Sequence, residues 1–245
     1  MSDRKIGRCF VAAAALLVSL SAIPLRGGND PGLRQIPRSA LCVTEGALEE
    51  SPGPGLRGTV PLSVNVPKMR AYVNRFTTQT VALNFAYLGP TASQSALGSG
   101  ELRRQFGLKL RAQDSCNLVY AIWRVEPETS FVVSVKSNPG QRTSAECANR
   151  GYRNVKARRH SPVPLLYPGD THTLRAEMDA DFLRVFADGA LVWEGALGTE
   201  VLNFNGPVGI RSDNVRLRLG LEAGEPAGAS PDYAVACKSG PSESE

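Results

Sequence analysis

Histidine is nearly absent from this chain of 245 residues: His160 and His172 are the two it has. With so few imidazoles, scattered acids and no Cys-x-x-Cys spacing, a zinc centre is not expected. Gly-x-Ser-x-Gly, the sharp turn that presents a nucleophilic serine, is missing. So is a glycine-rich phosphate loop. After the first 25 residues no apolar run reaches the length of a membrane span. Aromatics make up 7% and do not interleave with bases along any strand, so nucleic-acid binding is not expected. No long helical periodicity occurs, and the best helical stretch, Ala145–Arg150, is a turn or two at most. A hydrophobic share of 42% argues against a disordered chain. Gly 24 and Pro 17 exceed what a helical bundle tolerates and favour turn-rich β structure.

The amino terminus reads as a secretory signal. Arg4, Lys5 and Arg8 precede an apolar stretch from Cys9 to Leu20, and Ser21-Ala22 supplies a small-residue cleavage site. Cleavage after residue 22 leaves 25 bases against 22 acids, a charge of +3 rather than +5. Such a charge requires no nucleic acid or anionic membrane as partner. The one basic cluster, Arg150, Arg153, Lys156, Arg158 and Arg159, reads as a solvated loop. The expected location is secreted or periplasmic. Four cysteines then remain, Cys42, Cys116, Cys147 and Cys237, and an even number in an exported chain points to two disulfides. The favoured pairs are Cys116–Cys147, across two neighbouring strands and their loop, and Cys42–Cys237, tying the two ends together. Other pairings and free thiols stay open.

Residues 23–58 are Gly/Pro-rich and read as an extended leader, with a strand near Ala40–Thr44. Residues 222–245 form a similar tail carrying Cys237. Between them, over 59–221, apolar residues recur with period two. Phe106, Leu108 and Leu110 alternate with Gly107, Lys109 and Arg111. Phe131, Val133 and Val135 form another row, as do Val215, Leu217, Leu219 and Leu221. One face inward and one face wet explains each. Leu118–Val125 is apolar on both sides, which fits a strand covered on both faces. Asp188-Gly189 between two apolar runs is a hairpin signal, because a type I′ turn wants positive φ at both central residues. The expected fold is all-β, an antiparallel two-sheet β-sandwich.

From Tyr167 to Leu221 the chain resembles the carboxyl half of the concanavalin A-like jelly rolls, the lectin/glucanase and laminin-G group. The matching residues are Pro168-Gly169-Asp170-Thr171-His172-Thr173-Leu174, then Leu183–Gly189 and Leu191-Val192-Trp193, then Gly206-Pro207-Val208-Gly209-Ile210-Arg211 and the alternating Val215–Leu221. The Gly-Pro-Val-Gly approach is also similar to jelly rolls related to the 3-keto-disaccharide hydrolases. The resemblance implies two packed sheets of about six strands each, one of them concave and able to hold a glycan. It also implies that first and last strands are neighbours, in keeping with Cys42–Cys237. Several relatives hold calcium with loop carboxylates. Asp170, Asp188 and Asp213 are the candidates, though each also reads as a turn residue, and no cofactor is expected.

Glucanases of this fold carry Glu-x-Asp-x-x-Glu on one strand. Here the nearest string starts at Glu177 and Asp179 and puts Phe182 in the third place, so the acid/base carboxylate is missing. A retaining enzyme needs two carboxylates roughly 5–5.5 Å apart. For sugar binding the informative strand holds Tyr120, Trp123 and Arg124, where Trp123 and Arg124 must face opposite sides and Trp123 also suits a core. Arg124, on an otherwise apolar strand, needs a carboxylate or a ligand. Lys136, Tyr152, Arg153 and Asn154 are its expected loop partners. The reading that results is a non-catalytic glycan-binding or interaction module of the cell envelope. The alternatives are a glycoside-active enzyme with a degenerate site and a structural envelope protein without ligand.

Overall fold

A computed structural model describes residues 32–229, apart from 54–55, 57–59, 75 and 227. The expected signal over residues 1–22 and Cys237 with most of the tail lie outside the described residues. Among the described residues no helix is long and apolar enough to cross a membrane. The early strands are β1 (Arg34–Gln35), β2 (Leu41–Glu45), β3 (Glu49–Glu50), β4 (Leu62–Val64), β5 (Lys68–Val73) and β6 (Phe76–Thr77). The middle ones are β7 (Thr80–Pro90), β8 (Arg104–Leu110), β9 (Leu118–Glu126), β10 (Ser130–Lys136), β11 (Tyr152–Asn154) and β12 (Arg159–His160). The last are β13 (Thr171–Asp179), β14 (Phe182–Ala187), β15 (Ala190–Ala196), β16 (Gly209–Asp213), β17 (Val215–Ala223) and β18 (Gly228–Ala229).

Every pairing is antiparallel, and two sheets carry the fold. One has nine strands in the order β12-β15-β14-β13-β7-β17-β4-β3, with β1 also on β17. The other has seven, ordered β11-β10-β9-β8-β16-β5-β2. The protein is therefore an all-β sandwich. Its sheets exceed the expected six strands because short strands at 34–50, 62–64 and 152–160 extend both edges. The leader thus enters the fold: β2 pairs with β5, and β1 brings Arg34 opposite Ala223 on the last long strand. The first strand thus lies beside the last long one, whereas the strand expected at Ala40–Thr44, β2, lies in the other sheet beside β5 and is not a neighbour of β17. The chain reverses at Asp188-Gly189, with φ of 51° and 83°, so that Ala187 faces Ala190. The helix is shorter than Ala145–Arg150, covering Ser144–Cys147 and closed by a Thr143/Glu146 capping box.

Period-two patterning becomes one continuous core. Val81, Leu83 and Phe85 of β7 and Leu217, Leu219 and Leu221 of β17 meet Phe106, Leu108, Val119, Ala121 and Trp123 from the facing sheet. Trp123 is fully buried there, with ring centroids 5.6 Å from Phe85 and 6.1 Å from Phe106. A second, smaller cluster lies on the other face of the seven-stranded sheet: Tyr72, Ala112, Leu118, Tyr120 and Ile122, with Tyr152 against it. This explains why β9 is apolar on both sides.

Candidate functional site

Alternation along β9 sends Val119, Ala121, Trp123 and Val125 into the core and Tyr120, Ile122 and Arg124 to the outer face. On that face register puts Tyr120 between Lys109 and Ser134, Ile122 between Gly107 and Val132, and Arg124 between Gln105 and Ser130. On β11, Asn154 sits beside Ser134 and Tyr152 beside Lys136. These strands floor a groove of about 230 Å³. Its walls are the 97–103 loop, which brings Glu101 and Arg103, and Asn149 just after the short helix.

Four of the expected residues line this groove: Tyr120, Arg124, Tyr152 and Asn154. Tyr120 and Tyr152 stack, with centroids 5.8 Å apart and planes inclined at 25°. Tyr120 is buried and supports Tyr152, which is half-buried. Three expectations are corrected. Trp123 lies in the core, on the side of the sheet away from Arg124, and does not line the groove. Arg153 has the opposite parity from Tyr152 and Asn154 on β11 and is ion-paired with Glu200. Lys136 is fully buried, its ammonium 4.9 Å from the Tyr152 ring centre, so it props that ring rather than lining the groove.

Among the groove residues that sequence reasoning missed are Glu101, Arg103, Gln105, Ser134, Asn149 and Arg211. Arg211 was visible only as part of the Gly-Pro-Val-Gly-Ile-Arg approach. Its guanidinium lies 5.0 Å from the Tyr120 ring centre, and its Nε donates to Asp213 at 2.9 Å. Behind it, Asp213 is fully buried and also accepts from Arg70 at 2.6 Å and from the Gln105 amide at 2.8 Å. Burial opposes ionisation of this carboxyl, but Arg211, Arg70 and Gln105 outweigh it and lower its pKa to about 2. A carboxylate gripped this way is a structural counter-ion. The other two calcium candidates are also engaged: Asp170 accepts from the Tyr167 amide at 2.8 Å, and Asp188 lies 2.6 Å from His172 Nδ1 and accepts from the Thr173 amide. Among the described residues no group of three His, Cys, Asp or Glu side chains could hold a metal ion.

Cys116–Cys147 is formed, with Cα atoms 5.9 Å apart. It does not join two strands, as expected, but ties the approach to β9 to the short helix. Asn117 reinforces the tie: its amide donates to Gln141 O at 2.8 Å and its carbonyl accepts from the Asn138 amide at 2.8 Å. Together they fix the segment that delivers Asn149 and β11 to the groove. Cys42 is disulfide-bonded, and its expected partner Cys237 lies outside the described residues.

The carboxylates of the glucanase-like string lie elsewhere. Glu177 is on β13 of the nine-stranded sheet, paired with Arg175 at 2.6 Å, and Asp179 ends that strand at an exposed turn. In the basic cluster Arg159 forms a two-point pair with Glu194, at 2.7 and 3.0 Å.

No family model and no curated protein matches the chain. Among solved structures it is similar to the CBM66 carbohydrate-binding module from Bacillus subtilis, at 11% identity and TM-score 0.47, over 74% of this chain and 91% of that one. Domain 4 of AbnA, an extracellular arabinanase from Geobacillus stearothermophilus seen with arabinotriose, gives 11% and 0.43, over 80% and 87%. The galectin LEC-6 from Caenorhabditis elegans gives 12% and 0.38, over 72% and 95%. The sandwich architecture stands on the strand pairing itself, and what those proteins bind is a property of those proteins.

Proposed function

We propose that the protein is an exported, non-catalytic glycan-binding module of the cell envelope, with its site on the outer face of the seven-stranded sheet. The observation that carries this reading is the half-buried Tyr152 ring, stacked on Tyr120 beside Arg124 and Asn154 in one groove. An aromatic face takes the C–H side of a sugar ring, and planar polar groups around it read hydroxyls. Ser134 and Asn149 add to that set. Support for a non-catalytic role comes from the lining, which holds a single carboxylate, Glu101. Hydrogen bonds from Arg103 and Ser99 keep Glu101 below the usual carboxylate range, the wrong direction for a general acid. Two carboxyls in one groove would be needed for glycoside hydrolysis. Export accords with the expected signal and with oxidised cysteines.

The test is a glycan array probed with the secreted chain, its Tyr152→Ala variant and its Arg124→Ala variant. Binding of a defined glycan class by the parent, weakened about tenfold or more by each substitution, is the expected result. Absence of binding across the whole array overturns the reading and leaves a structural envelope protein.

A further inference from the structure

Charge in the groove is lopsided. Three arginines line it, Arg103, Arg124 and Arg211, against Glu101 alone. Arg211 is engaged by Asp213 from below, and Arg103 is engaged by Glu101 at 2.6 Å. Arg124 is different. Its buried Nε has no acceptor among the described residues. Its strand neighbours on either side, Gln105 and Ser130, are neutral, and the Gln105 amide is already donated to Asp213. Burial lowers the pKa of Arg124, repulsion by Arg103 lowers it further, and Glu101 works the other way. A guanidinium in such a place is stabilised by an incoming anion more than by water.

We propose that the groove takes an acidic sugar, with the carboxylate of a hexuronate residue received by Arg124 while the pyranose ring lies against Tyr152. This deepens the glycan-binding reading and rests on it. A guanidinium presents a planar fork that matches a carboxylate with two parallel hydrogen bonds. Arg103 is held by Glu101, which leaves Arg124 to receive the carboxylate; Asn154, whose carbonyl accepts from Ser134 at 2.8 Å, keeps its NH2 for the ring hydroxyls, with Asn149 beside it. A neutral sugar would fill the same space and leave Arg124 with its burial uncompensated, so the acid is selected over its uncharged counterpart.

The matched probe is an oligouronide and its methyl ester, which keep the ring and remove the charge. The full exported chain is titrated with galacturonate, glucuronate and mannuronate oligomers, each as acid and ester, with a sulfated oligosaccharide and a neutral one alongside. At least one acid is expected to bind about tenfold tighter than its ester, and raising the salt is expected to narrow that gap. Arg124→Gln should erase the preference and Arg124→Lys, which keeps the charge but not the fork, should retain part of it. Arg184→Gln on the other sheet, a loss of one positive charge far from the groove, should change nothing. Thermal melts of each variant separate loss of binding from loss of fold. Equal affinity for acid and ester, or a preference for sulfate over every carboxylate, overturns the uronate assignment while glycan binding stands. Failure of acidic and neutral oligosaccharides alike overturns both.

Discussion

Asp213 shows how far a residue's neighbours can reverse its apparent role. In the sequence it stands just before Asn214 and looks like a turn carboxylate open to a cation. In the fold the turn falls at Asn214, with φ of 58°, and Asp213 ends β16, buried under Arg70, Arg211 and Gln105. Its folded pKa of about 2 lies below its unfolded value of 3.8, so ionised Asp213 stabilises the protein fully above about pH 4. That contribution is lost as pH falls from 4 towards 2. Urea midpoints across this window should therefore drop in the parent chain. In Asp213→Asn they should be flatter there and lower at neutral pH by the equivalent of about 3 kcal/mol, because Arg211 and Arg70 lose the buried carboxylate they share. An unchanged acid limb in the variant would remove Asp213 from this role. Arg124 was legible where Asp213 was not: a lone base on an apolar strand announces itself, whereas a carboxylate whose partners come from β5, β8 and β16 does not.

At the scale of elements, the groove depends on β8, β9 and the 138–151 segment keeping their positions. Gly107 passes so close to β9 that an added Cβ would sit 2.1 Å from Ala121 O and 2.9 Å from Ile122 Cα, both backbone. Gly107→Ala should therefore cost about 1–3 kcal/mol in chemical denaturation and weaken the proposed glycan binding, since the floor under Ile122 must shift. The 138–151 segment is held by the Cys116–Cys147 bond across a separation of 31 residues. Replacing both cysteines with serine should lower stability by about 3–4 kcal/mol in the loop-entropy picture. The same change should weaken the proposed glycan binding, because Asn149 and β11 lose their tether, and a binding curve unmoved by it would argue that the segment does not shape the site. Long alternating strands such as β8 and β17 could be read directly from the sequence. The 97–103 wall could not, because it has no periodicity and its place is set by contacts far along the chain, such as Asn214 with Ser95 and Arg103.

On the scale of the whole molecule, the folding unit begins earlier than composition suggests. Composition made residues 23–58 a leader, since Gly and Pro break periodicity and short edge strands carry too few residues to display one. The strand expected at Ala40–Thr44 corresponds to β2, Leu41–Glu45, but its neighbours β1 and β3 carried no signal of their own. In the fold these three strands close edges of both sheets, and Ile36, Leu41 and Leu48 are buried in the common core. Each such side chain contributes about 1.5–3 kcal/mol on burial, so three of them together rival the net stability of an ordinary domain. β2 also carries the oxidised Cys42, whose cross-link would vanish with it. A chain beginning at Pro61 should consequently fail to give a cooperative melt, whereas one beginning at Gly32 should melt cooperatively. Amide exchange gives the matching expectation in the intact protein, with β2 protected alongside β5 and β16. Rapid exchange throughout 34–50, or a cooperative melt of the shorter chain, would return those residues to the status of a leader and confine the sandwich to the strands from β4 onward.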